Sequence, residues 1–199
     1  QGLTLGAYIT GIKVQDGYFA GGAFDWLHPF NIMVGAGLVA GYVLLGATYL
    51  IIKTEGDVQQ RAYRQAFWSA WVVAGFMVLV SIWTPLHNPD IVSRWLSAPR
   101  IYFIWILIMG AVAFFMLLNS IKNRRELQPF LFALLLFISA YLGLQSGIYP
   151  YALLPDITIY QAAAQRETQI ITLVGVAVVL PVVLGYTFYS YWVFKGKRS

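Results

Sequence analysis

Cysteine is absent from the 199 residues of the chain. Neither a disulfide nor a thiolate metal centre can form, so any redox chemistry has to come from a bound cofactor or from another chain. Charge is the second shortage: Asp, Glu, Lys and Arg make up 11% of residues, against about 25% in a typical soluble domain. With 59% hydrophobic residues and a mean hydropathy of +0.68, the chain reads as an integral membrane protein. Its net charge of +5 belongs to helix ends that the basic residues anchor on the cytoplasmic side, and no nucleic-acid partner is expected. P-loop, zinc, hydrolase-nucleophile and dinucleotide motifs are all missing. So is the charged n-region and cleavage site of a signal peptide. The chain opens on Gln1, and Leu3, Leu5, Ala7, Ile9 and Ile12 read as the tail of a truncated helix.

What the chain does have is five solid apolar runs, at 30–52, 66–85, 101–119, 130–147 and 170–194. Each is near the ~20 residues that a helix needs to cross a hydrocarbon core of about 30 Å. A transmembrane barrel would show short alternating segments instead. The expected fold is therefore all-α, a polytopic transmembrane bundle of five spanning helices plus the truncated first one, forming a single membrane domain over 1–199. Lys53, Arg61, Arg64, Lys122, Arg124, Arg125, Lys195, Lys197 and Arg198 fall on one side, and Lys13, Arg94, Arg100 and Arg166 on the other. The positive-inside rule makes the first side, with the C-terminus, cytoplasmic, and turns the 148–169 loop to the periplasmic or extracellular side. Pro85 and Pro89 are expected to end the second helix, and residues 86–100, with Trp95, to form a short interfacial helix.

The 148–169 loop is too apolar and aromatic for a solvated connection. Tyr149, Pro150, Pro155, Ile157, Ile159 and Tyr160 are expected to pack against a membrane surface or a partner. Trp26 belongs with them as a docking or belt residue. Gly37 and Gly41 form a GxxxG step suited to close helix packing. Pro181, with Gly185, is expected to bend the last helix.

Chemistry-bearing residues are few. No run carries an ionisable residue in its interior, so the chain alone holds no intramembrane proton or ion relay. Imidazole is a common haem ligand, which makes His28 and His87 the candidates for a bis-histidine pair. Their neighbours Pro29, Pro85 and Pro89 favour ordinary interfacial turns. Asn31, Asn119 and Gln145 are polar groups near helix ends that suit interhelical hydrogen bonds or a quinone carbonyl. The four methionines, Met33, Met77, Met109 and Met116, read as packing. No catalytic residue and no metal site is assigned.

Four stretches carry a resemblance in combination. They are 19–30 (Phe19 through Asp25-Trp26-Leu27-His28-Pro29-Phe30), the glycine-rich helix closing on Lys53-Thr54-Glu55-Gly56, the Tyr149-Pro150-Tyr151 loop with 155–163, and 184–197 around Tyr189-Ser190-Tyr191-Trp192. Together they resemble subunit II of cytochrome bd quinol oxidase, end to end. The resemblance implies an eight-helix subunit of two four-helix halves, with this chain corresponding to the fourth helix onward. It also implies a haem-bearing subunit I that holds haems b and d, quinol as the substrate of the complex, dioxygen reduced to water, and support of a proton gradient. A small single-helix accessory subunit is a further partner it allows, besides membrane lipid. The expected role of this chain is a non-haem scaffold in a bacterial cytoplasmic (inner) membrane, with no directly bound cofactor. The family's proton-pathway acid and structural quinone site belong to its early helices, and no position here matches them. His28 stands where the family more often has Thr or Asn before Pro. The alternative is a partner-independent membrane carrier of a small solute or quinone.

Overall fold

The computed structural model describes residues 1–12, 14–15, 18–22, 24–87, 102–154 and 157–193. In chain order these form helix α1 (Gly2–Thr10), strands β1 (Val14–Gln15) and β2 (Tyr18–Phe19), a 3-10 turn (Asp25–Leu27), and helices α2 (Pro29–Lys53) and α3 (Gly56–His87). Helices α4 (Tyr102–Lys122) and α5 (Gln128–Ile148) follow, then strands β3 (Tyr151–Leu153) and β4 (Ile157–Thr158), the short α6 (Ile159–Ala162) and the long α7 (Arg166–Val193). Helices α2, α3, α4, α5 and α7 are long and apolar enough to cross a membrane. The all-α bundle read from the sequence is the observed fold.

The helices run past the apolar windows. Helix α3 begins at Gly56, ten residues before the apolar run, because Asp57 through Gln65 are competent helix formers that continue the spiral into the polar zone. It also passes through Pro85 and ends at His87, so Pro85 does not stop it. A proline in the last turn removes a single backbone hydrogen bond where few remain to be lost. The expected interfacial helix at 86–100 lies outside the described residues except for Leu86 and His87, which belong to α3. Helix α7 runs unbroken through Pro181 and Gly185, so neither ends it.

Helices α2 and α3 form an antiparallel hairpin, closed by Thr54, Glu55 and Gly56, whose φ of 63° is the left-handed geometry glycine adopts without strain. Helices α4 and α5 form a second pair, and α1 lies against α2. The pairs meet in a core of Leu44, Ala47 and Ile51 from α2, Ala62, Ala66 and Ala70 from α3, Ala113 and Leu117 from α4, and Ala133 and Leu136 from α5. The recurrence of alanine is physical: lipid tails give helices no hydrophobic reason to associate, so small side chains that admit close van der Waals contact mark the interfaces.

Glycine does this in two ways. A methyl built on Gly37 would stand 3.1 Å from the Phe76 side chain, and one on Gly41 would stand 2.5 Å from the Phe137 ring tip. The GxxxG step at Gly37 and Gly41 therefore seats two aromatic knobs. The backbone-to-backbone crossing lies elsewhere: methyls on Gly2 and Gly6 would stand 2.5 Å from the Cα atoms of Gly35 and Asn31. Both pairs are spaced by four residues, so α1 and α2 meet along one seam.

The two pairs are also tied at the basic end. Tyr63 donates to the Arg125 carbonyl at 3.2 Å, and Gln59 bridges the Ile51 carbonyl at 2.9 Å and Glu126 at 3.3 Å. Helix α4 closes in a Schellman arrangement, with Arg125 N–H donating to the Ser120 carbonyl and Arg124 N–H to the Ile121 carbonyl. Arg124 holds the left-handed position, φ 53°, usually given to glycine, and its guanidinium lies 4.8 Å from the centre of the Tyr63 ring.

Helix α7 stands apart. From Arg166 to Val193 every residue except Ser190 is exposed, and the edge of Tyr191 meets Tyr49 of the bundle, 6.5 Å between ring centres.

Candidate functional site

The 148–169 loop is built, not slack. Helix α5 stops at Ile148, with Tyr149 N–H donating to the Gln145 carbonyl at 3.0 Å, and the Tyr149–Pro150 peptide bond is cis. Strands β3 and β4 pair antiparallel, Tyr151 opposite Thr158 and Leu153 opposite Ile157, and Ile159 N–H donates to the Pro150 carbonyl at 2.9 Å. Thr158 and Gln161 then form a capping box: the Thr158 hydroxyl accepts from Gln161 N–H at 3.3 Å and the Gln161 side chain accepts from Thr158 N–H at 2.9 Å. This reciprocal pairing satisfies two backbone donors that a single helical turn would leave open.

The loop is anchored by Leu154, which is buried and whose carbonyl accepts from Ile12 N–H at 3.0 Å. Gly11 sits beneath it at φ 94°; a methyl there would lie 2.9 Å from the same carbonyl oxygen. The end of α1 is thus shaped to receive the loop. With Leu154 inside, Tyr149 (48% exposed), Ile159 (46%) and Tyr160 (77%) are displayed together. The Tyr160 hydroxyl is held above the usual phenol range by its hydrogen bond to Tyr149, by the repulsion a Tyr149 phenolate would exert, and by slight desolvation. Ile157 is half-buried in the hairpin and helps hold the loop rather than facing out. Pro155 lies outside the described residues.

The segment before α2 reaches the same end of the bundle, since the 3-10 turn touches α1. Trp26 is partly exposed, and its carbonyl accepts from Asn31 Nδ2 at 3.0 Å. His28 is the N-cap of α2, its Nδ1 accepting from Phe30 N–H at 3.4 Å. The cap is what Asn or Thr would supply before Pro29, which accounts for a histidine in that place. His87 is the last residue of α3, with its side chain outside the described set.

His28 is exposed and its Nδ1 caps a helix, and Met33 packs in an apolar cluster with Phe30, Val34 and Trp83. No three His, Asp or Glu side chains among the described residues could share a metal ion. The polar groups expected to bridge helices bond locally instead. Asn31 serves Trp26, Asn123 donates to Asn119 at 3.1 Å, and Gln145 donates to Tyr141 at 3.2 Å. Thr48, Ser69, Thr84, Ser120 and Ser139 each return a hydroxyl to a carbonyl three or four residues back on their own helix. In an apolar medium a hydroxyl that finds its own backbone has no need of a neighbour. The described residues of the loop surface thus offer apolar area and phenol hydroxyls, which suit binding.

Sequence reasoning missed Leu154, Gly11, Gly2 and Gly6. A glycine just after an apolar run is a helix-end signal that would have marked Gly11, and Gly2-Leu3-Thr4-Leu5-Gly6 is itself a GxxxG step. Nothing in the sequence singles out Leu154 from its apolar neighbours.

Comparison with known proteins agrees with this architecture. The chain is 24% identical over 212 residues to cytochrome bd-I ubiquinol oxidase subunit 2 of Escherichia coli K12, an alignment covering 90% of this chain and 55% of that protein. It matches the same subunit of Escherichia coli O157:H7 to the same extent. The chain thus spans about half the length of the curated relatives it matches. A model of the family described as cytochrome bd terminal oxidase subunit II matches residues 1–194, and the chain belongs to that family.

Proposed function

We propose that this chain is a scaffold subunit of a bacterial terminal oxidase, multi-pass in the inner membrane, whose haem-bearing subunit I oxidises quinol and reduces dioxygen to water. The observation that carries the reading is the loop: a rigid, apolar, exposed patch of Tyr149, Ile159 and Tyr160, fixed to α1 through Leu154. A preformed apolar surface of this kind loses little entropy on docking. Haems b and d sit in subunit I, quinol is the substrate of the complex, and this chain supports proton-gradient generation by holding the haem subunit in place. The nine Lys and Arg residues on the side opposite the loop support a cytoplasmic C-terminus and a periplasmic loop. The buried hydroxyls of Thr48, Ser69, Thr84, Ser120 and Ser139, each bonded to its own helix, speak against a partner-independent carrier, since none of them is turned to a path between helices. The test is purification from native membranes of the protein carrying this sequence: a haem-rich partner should accompany it, and purification alone in stable, haem-loaded form would refute the scaffold role.

A further inference from the structure

At the basic end of the bundle a groove of about 430 Å³ opens between α2 and α3. Arg61, Arg64, Gln65, Trp68 and Val72 of α3 and Val43 of α2 line it. Arg61 and Arg64 are exposed, and neither makes a hydrogen bond or ion pair with another described residue. Asp57, one turn before Arg61, forms no ion pair with it.

The two arginines sit at the polar end of the groove, on the side where Lys53 closes α2. From Arg61 to Val72 the groove descends eleven residues of helix, about 16 Å at ~1.5 Å per residue. Trp68 lies between, 65% exposed, at the depth where aromatic belts meet headgroups. The wall of the groove is almost wholly apolar, and the two exposed arginines stand at its polar-zone end, the order of acyl chain and headgroup in a phospholipid lying along a helix pair. A quinone is a poorer match, because Ser69, the hydroxyl at that depth, gives its proton to the Gln65 carbonyl of its own helix at 2.8 Å.

We propose that this groove binds one anionic phospholipid, its phosphate on Arg61 and Arg64 and an acyl chain over Trp68, Val72 and Val43. Two guanidiniums facing one phosphate recognise charge and planar geometry together. Each basic residue at an anionic membrane surface contributes enough that losing both weakens binding by about 10-fold or more. The inference needs the chain to lie in a membrane and is independent of the scaffold reading.

Native mass spectrometry of the full chain, titrated in detergent with phosphatidylglycerol and separately with phosphatidylcholine, tests it. One phosphatidylglycerol should be retained in preference to phosphatidylcholine. R61Q/R64Q together should weaken retention about 10-fold or more. V43W, which fills the groove and leaves both charges, should weaken it too, while K122Q, a charge removed from another helix end, should not. Equal retention of the two lipids, an unaffected V43W, or equal losses in K122Q and R61Q/R64Q would each show diffuse surface charge and overturn the site.

Discussion

Gly6 and Asn31 meet backbone to backbone, so closely that a methyl on Gly6 would stand 2.5 Å from the Asn31 Cα. Asn31 is fully buried at that point, its amide N–H₂ on the Trp26 carbonyl and its Oδ1 without a hydrogen-bond partner among the described residues. The crossing of α1 on α2 thus fixes the turn that carries Trp26 and, through Gly11 and Leu154, the loop. One seam of small residues positions the whole candidate surface.

Gly6→Ala should therefore destabilise the protein, by about 1–3 kcal/mol for an overpacked contact with a backbone that cannot swing aside. Gly75→Ala, where nothing lies within 4 Å of the added methyl, should be neutral or stabilising by up to about 1 kcal/mol through helix propensity. Thermal unfolding in detergent compares them; equal melting temperatures would show that the seam of α1 on α2 is not closely packed.

Arg124 occupies a left-handed position at φ 53°, which costs a non-glycine residue roughly 1–2 kcal/mol. Its place over the Tyr63 ring offsets part of that. Arg124→Gly should be close to neutral, relieving the backbone while losing the ring contact, and Arg124→Ala should be worse than Arg124→Gly by about 1 kcal/mol. A melting temperature for the alanine variant at or above that of the glycine variant would contradict the left-handed cap.

Ile159→Asp should lower the yield of the assembled oxidase with little change in the chain's own melting temperature, because Ile159 faces outward. Leu154→Ala should lower the melting temperature first, by about 2–5 kcal/mol worth of lost packing for a buried leucine. Size-exclusion profiles alongside melting curves separate the two effects, and an unchanged yield with Ile159→Asp would rule out docking through this patch.

Tyr160 carries a raised phenol pKa caused first by its hydrogen bond to Tyr149. The neutral phenol is the form the contact favours, so its contribution is complete below the ordinary value near 10 and is lost as pH rises through the higher folded value. Tyr149→Phe should bring Tyr160 back to the ordinary range. Tyrosine-selective carbon-13 NMR across alkaline pH reads the change, and an unmoved Tyr160 titration in the variant would deny the pairing.

Much of this architecture was legible in the sequence. Solid apolar runs without ionisable residues leave a helix as the economical structure in lipid, so the five spans could be placed from composition alone. Their ends could not: hydropathy sees where α3 leaves the apolar zone near Ala66, whereas backbone hydrogen bonding carries the helix back to Gly56. Pro85 misled for a related reason, since a proline in a last turn disrupts very little. The loop's apolar character was readable, but the division of labour within it was not. Leu154 and Ile159 are chemically alike, and the pairing of Ile12 with the Leu154 carbonyl, far apart in the chain, decides which is buried. The interfacial turn that Pro29 favours at His28 was readable too, but not that its Nδ1 accepts from Phe30 N–H.

The most direct test of the scaffold role is haem quantification by absorption spectroscopy on the native protein carrying this sequence, purified once with its partner and once expressed without it. The expected result is b- and d-type haem in the assembled complex and no haem on the protein alone. Stoichiometric haem on the isolated subunit would contradict it.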